Sequence, residues 1–102
     1  MTKDPQITAT VKEILYLIKN ISPGKSVELR VPPYGAIQCV LGSNHRRGTP
    51  PNTVEMSGQT LLRLINEPGL WSAFCESGEV RASGLLSDLS NLFAQASVKY
   101  RA

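Results

Sequence analysis

Histidine occurs once in this 102-residue sequence, as His45, and cysteine twice, as Cys39 and Cys75. One histidine with two separated thiols matches none of the common zinc spacings, so no metal site is expected. A Cys and His nucleophile pair is formally available. Cys39, however, falls in the apolar register of a strand and Cys75 on the apolar side of a short helix, where a thiol behaves as a small hydrophobe. There is no Gly-x-Ser-x-Gly elbow, phosphate loop or dinucleotide fingerprint. Neither a cofactor nor an enzyme activity is expected. Basic runs are equally scarce: the densest is the pair Arg46 and Arg47, in a chain with 11 Lys and Arg against 8 Asp and Glu. A nucleic-acid binder clusters its positive charge, so no nucleic acid is expected as partner. The longest apolar run, Ile14 to Ile18, is broken by Tyr16 and is far short of the ~20 residues that span a bilayer. Met1 to Pro5 contains no apolar signal segment, and together with the few cysteines this points to a cytoplasmic protein with reduced thiols.

What is present describes one small globular domain, residues 1–102, of ordinary composition, 41% apolar and 19% charged. A chain of this size buries roughly 65% of its unfolded surface, so any pocket must be small, shallow or built at an edge.

From Asp4 to Asn20, Ile7, Val11, Ile14, Leu15 and Ile18 make the stripe of an amphipathic helix, with Asp4-Pro5 as cap and first turn and Ile21-Ser22-Pro23-Gly24 as its stop. Ser26 to Val31 alternates as a strand with one apolar face, and Pro32-Pro33 ends its pairing. Tyr34 to Leu41 is a second extended run with apolar residues on both faces, the pattern of a central strand. Residues 42–52 form a long loop rich in turn formers, a kind more often functional than incidental. Thr53 to Met56 reads as a strand and Ser57 as the cap of a helix ending near Asn66, ahead of Pro68. A short helix carries Leu70, Trp71, Phe74 and Cys75, and a last strand runs from Glu79 to Ser83. Ser87 is the expected cap of a final helix with Leu86 stapled onto its first turn, and Ser97 to Ala102 the expected frayed end. Strands and helices segregate, which predicts an α+β fold: a small, mostly antiparallel sheet covered on one face by helices.

Two groups of residues are candidates for function. Tyr34, His45, Arg47, Glu55 and Arg81 form a polar set near strand ends, able to scaffold the loop or to contact a ligand or a partner protein. The second half of the chain concentrates large apolar side chains, Leu62, Ile65, Leu70, Trp71, Phe74, Leu85, Leu86, Leu89, Leu92 and Phe93, which either fill the core or leave an apolar groove.

The runs Arg30-Val31-Pro32-Pro33-Tyr34-Gly35-Ala36-Ile37-Gln38-Cys39, then His45 to Glu55, then Gly78-Glu79-Val80-Arg81-Ala82-Ser83-Gly84 resemble the small sterol-carrier-like proteins of actinobacteria, over roughly residues 8 to 94. The strand ending in Ser-Gly before a Leu-rich helix also resembles the wider sterol carrier protein type 2 superfamily. The resemblance implies a sheet backed by helices and non-catalytic binding of a fatty acyl or sterol-like ligand. It implies a lining role for Leu62, Ile65, Trp71, Phe74, Leu89 and Phe93, and no settled role for the polar set. It also implies an alternative, an accessory module for a partner enzyme such as a mycothiol-dependent isomerase-like protein; from the residues themselves, the loop 42–52 and its polar neighbours are where a protein partner is expected to make contact.

Overall fold

The computed structural model describes residues 3–42 and 52–102. Helix α1 (Thr8–Ile21) turns Val11, Ile14, Leu15 and Ile18 inward, the stripe its spacing predicts. It begins later than Asp4-Pro5. The Asp4 carboxylate accepts the Gln6 N–H at 2.9 Å, and the Asp4 carbonyl takes the Ile7 N–H and the Thr8 hydroxyl, so these residues form a turn ahead of the helix.

Strand β1 (Val27–Val31) and strand β2 (Gly35–Cys39) make an antiparallel hairpin around Pro32-Pro33, whose peptide bond is cis. Strand β3 (Asn52–Met56) lies parallel to β1, and strand β4 (Val80–Ser83) antiparallel to β3. The order β2-β1-β3-β4 makes the sheet mixed, with two antiparallel pairings and one parallel. Tyr34 to Leu41 is therefore an edge element, not the central strand its composition suggested. Gly35, Ala36 and Gln38 are exposed, and extended structure stops at Val40, which takes φ 69° and breaks the alternation.

Period-two alternation sorts the remaining strands. Val27, Leu29, Val31, Val54, Met56 and Val80 face the helices, while Glu28, Arg30, Thr53, Glu55, Arg81 and Ser83 line the open face. Helix α2 (Gly58–Asn66) is capped by Ser57, whose hydroxyl accepts the Thr60 N–H at 3.1 Å. A single 3₁₀ turn at Pro68–Leu70 leads into helix α3 (Trp71–Ser77), which closes on Gly78 in the left-handed conformation at φ 86°. Helix α4 (Ser90–Arg101) packs on both α1 and α2.

Two expectations about α4 are corrected. Ser87 does not cap it: its hydroxyl donates to the Gly84 carbonyl at 2.7 Å, and the Asp88 carboxylate takes the Ser90 N–H at 3.0 Å instead. Ser97 to Arg101 is helix rather than fray, because Ala96 and Ser97 are buried, Tyr100 packs on the core and the Arg101 guanidinium donates to the Asn66 carbonyl. The result is the α+β, helix-on-one-face architecture expected from the segregated elements.

Candidate functional site

Five of the six side chains implied as ligand-lining, Ile65, Trp71, Phe74, Leu89 and Phe93, belong to the apolar layer between helices and sheet, and Leu62 packs half-buried against it. The Trp71 and Phe93 rings lie 5.7 Å apart at 33°, within the range of favourable aromatic pairs. Phe93 is fully buried and the Arg63 guanidinium sits 5.4 Å from the Phe74 ring centroid. These residues are close-packed on one another.

The open apolar surface lies beside them, at the end of the molecule where α1 stops and α4 starts. A cleft of about 350 Å³ is bounded by Ile21, Val40, Leu86, Leu89 and Leu92, among others, with Asp88, Asn91 and Gln95 supplying its polar edge. Leu89 and Leu92 belong both to the cleft wall and to the core, so the cleft abuts the layer that holds Phe93 and Trp71. Leu85 is 100% exposed and Leu41 79%. Among the described residues no buried side-chain nitrogen or oxygen lacks a hydrogen-bond partner, so the interior offers no free polar anchor.

Asn52 builds this end of the molecule. It opens β3 in phase with Val54 and Met56, which turns its side chain under the helices, 4% exposed. Its amide donates to the Ser26 carbonyl at 2.8 Å and accepts the Leu86 N–H at 3.0 Å, tying the approach to β1 to the turn after β4. Gly84, at φ 109°, is required in that turn: a Cβ there would stand 2.1 Å from the Asn52 amide oxygen. Val40 hooks the same end. Its N–H donates to the Ser22 carbonyl at 2.8 Å and its carbonyl accepts the Ser26 N–H at 3.1 Å, which holds a β-branched residue in a left-handed conformation that costs about 1–3 kcal/mol.

Sequence reasoning missed Asn52 and Val40. The inward phase of Asn52, Val54 and Met56 was legible; the left-handed Val40 had no local signal.

The polar set does not assemble as one group. Glu55 and Arg81 are directly opposite on β3 and β4 and form an ion pair, to which Arg30 adds a contact at 3.9 Å to Glu55 and one at 2.8 Å to Glu28. These pairs lie on the open face of the sheet, where each contributes at most about 1 kcal/mol. They border a second cleft, of about 480 Å³, that reaches Cys75. Tyr34 is elsewhere: buried, its ring edge sits where a Cβ on Gly58 would come within 2.7 Å, and its hydroxyl accepts the Asp4 N–H at 2.9 Å. Its role is packing. His45 and Arg47 lie outside the described residues, as does most of the loop expected to meet a partner.

Neither thiol is activated. Burial pushes Cys39 up to about 11, and burial together with the Asp88 charge raises Cys75. A nucleophilic thiol needs the opposite shift. In the folded protein at about pH 8, where an unperturbed thiol with its pKa near 8.5 is partly ionised, exposed Cys75 should react slowly with a disulfide reagent and buried Cys39 only after unfolding. Titration should count one reactive thiol natively and two in denaturant; two reactive thiols in the native state would show that the β2 edge opens. Among the described residues no group of three His, Cys, Asp or Glu side chains is placed to hold a metal ion, and no helix is long and apolar enough to cross a membrane.

A two-layer α+β domain with an apolar cleft abutting its helix layer at one end has the form of a small sterol-carrier-like protein. The chain belongs to the family described as "Bacterial SCP ortholog", which it matches over residues 3–94. Its fold is similar to that of a solved structure titled "UbiJ-SCP2 Ubiquinone synthesis protein", with a TM-score of 0.55 at 18% identity, covering 100% of this chain and 98% of the other. It is also similar to the solution structure of the sterol carrier protein domain 2 of Helicoverpa armigera, with a TM-score of 0.51 at 17% identity, covering 96% and 95%. At these identities the likeness is one of fold. A comparison with curated proteins finds no match.

Proposed function

We propose that this protein is a non-catalytic carrier that binds a fatty acyl chain or a similarly slender apolar ligand at the α1/α4 end. The observation that carries the reading is the continuity of the open cleft with the apolar layer through Leu89 and Leu92. Membership of the sterol-carrier-like family supports it. At about 350 Å³ the cleft stands at the low end of the ~300–1,000 Å³ typical of small-molecule sites, which favours a flexible chain over a rigid ring system. Leu89 is then the inner end of the cleft, and behind it the packed layer of Leu62, Ile65, Trp71, Phe74 and Phe93 has to part for the chain to pass further in. Binding draws on apolar area removed from water, at about 25 cal/mol per Å², because among the described residues every buried polar side-chain atom already has its hydrogen-bond partner. The strained Val40 on the cleft wall fits a site whose geometry is held by the fold.

The test is titration with saturated fatty acids of increasing length, read by Trp71 fluorescence, with Trp71 the sole tryptophan. Emission should change at low micromolar ligand, and Leu86→Gln, at a half-exposed cleft position, should weaken binding about threefold to tenfold without lowering thermal stability. A flat titration at every chain length, with no displacement of a fluorescent fatty acid, would exclude the carrier reading.

A further inference from the structure

We infer that the turn at Gly84–Ser87, with Leu41 beside it, is a docking surface for a lipid bilayer, and that it presents the cleft mouth to the membrane surface. The inference rests on the carrier reading and adds where the ligand is exchanged. Leu85 projects entirely into solvent from a turn that is built rather than loose. Asn52, a buried amide, holds the Leu86 N–H; the Ser87 N–H and hydroxyl both donate to the Gly84 carbonyl; and Gly84 takes a conformation that L side chains rarely adopt. A turn fixed by a buried amide presents a leucine to water at a defined place. Leu86 is 42% exposed, and Leu41 is the chain neighbour of Gly42, where a Cβ would lie 3.1 Å from a Leu86 methyl.

The size of the patch selects its occupant. Three leucines amount to a few hundred Å², the largest-patch scale of ordinary monomers. A stable protein interface needs about 800 Å² from each partner, so a second copy of the chain seated on these leucines alone would not hold. Inserting side chains a short way below the headgroups requires no matching surface and scales with apolar area. Among the described residues the charges beside the patch are one of each sign, exposed Lys25, one residue before the Ser26 N–H that donates to Val40, and exposed Asp88 on the cleft, which agrees with a shallow, chiefly apolar contact.

Cosedimentation with phosphatidylcholine vesicles, with and without phosphatidylglycerol, tests this. The protein should partition onto both, with only a modest gain from the anionic lipid. Leu85→Asp and Leu41→Asp should each lower the partition coefficient about tenfold. Val98→Asp, at a 71% exposed position on α4 outside the patch, should leave it unchanged. Leu41 is not part of the cleft wall, so Leu41→Asp should keep its affinity for monomeric fatty acid. Retained fatty-acid binding with vesicle binding that ignores Leu41 and Leu85 would overturn the docking surface and leave the carrier reading intact. Vesicle binding that depends on both leucines, with no fatty-acid binding, would uphold the surface and remove the carrier. No vesicle binding by the unaltered protein, equal losses in all three variants, or a concentration-dependent dimer abolished by Leu85→Asp would each overturn the proposal.

Discussion

Phe93→Ala should lower the unfolding free energy by about 3–5 kcal/mol, the cost of emptying a fully buried aromatic site. A domain of this size has about 5–15 kcal/mol in total, so the melting temperature should fall by roughly 15 °C or more. Phe93 carries this weight because it is the largest fully buried side chain that α4 gives the core: its backbone N–H closes the first turn onto Leu89, and its ring lies 5.7 Å from that of Trp71, at the start of α3. Loss of the ring should also shift Trp71 emission to the red as water or mobile side chains replace it. The milder Phe93→Leu, at about 1–1.5 kcal/mol, keeps a folded protein for ligand work. If Phe93 is the inner wall of the binding space, the vacated volume adjoins Leu89 and extends the cleft. The melting temperature of Phe93→Leu should then rise more with saturating palmitate than that of the unaltered protein, by the mass-action term RT ln(1 + [L]/Kd). An equal or smaller rise would leave Phe93 as core filler and confine the ligand to the outer cleft.

The elements most legible in the sequence were those set by short-range periodicity. The α1 stripe, the inward Val27, Leu29 and Val31, the Ser57 cap and the stop before Pro68 each depend on residues a few positions apart, and each stands as read. Errors arose where a distant partner decided the outcome. The apolar residues on both faces of Tyr34 to Leu41 mimicked a central strand, but Tyr34 is committed to Gly58 and Asp4, and Val40 to Ser22 and Ser26, which leaves β2 at the edge. Ser87 looked like a helix cap because its sequence neighbourhood allows one; its hydroxyl instead secures a turn whose other half is Asn52, 35 positions earlier. The polar set divided for the same reason. Glu55 and Arg81 were placed together by the β3–β4 register, while Tyr34 went to the opposite side of the sheet.

Asn52→Leu should cost about 2–3 kcal/mol even though the new side chain has similar volume and lies in an apolar layer. The reason is what it leaves behind: the Ser26 carbonyl and the Leu86 N–H lose their partner, and an unsatisfied buried group costs about 1–3 kcal/mol, less for Leu86, which water can reach in part. Because the same amide positions the Gly84–Ser87 turn, fatty-acid affinity and vesicle partition should fall together, which a generic loss of stability measured well below the melting temperature would not produce. Gly84→Ala attacks the contact from the other side, placing a methyl 2.1 Å from the amide oxygen. Combined with Asn52→Leu it should add less than the sum of the two single losses, since both remove one contact. Asn52→Asp separates the two hydrogen bonds. The carboxylate can still accept the Leu86 N–H but sets a negative charge against the Ser26 carbonyl in a buried site, so its folded pKa should rise above the unfolded value of about 3.9. A group that binds its proton more tightly when folded adds stability at low pH and loses it as pH rises through the raised pKa. Asn52→Asp should therefore be closest to the unaltered protein near about pH 4 and furthest from it at about pH 7. A deficit independent of pH would mean that the site admits water, and that the turn bearing Leu85 is held by Gly84 and Ser87 without Asn52.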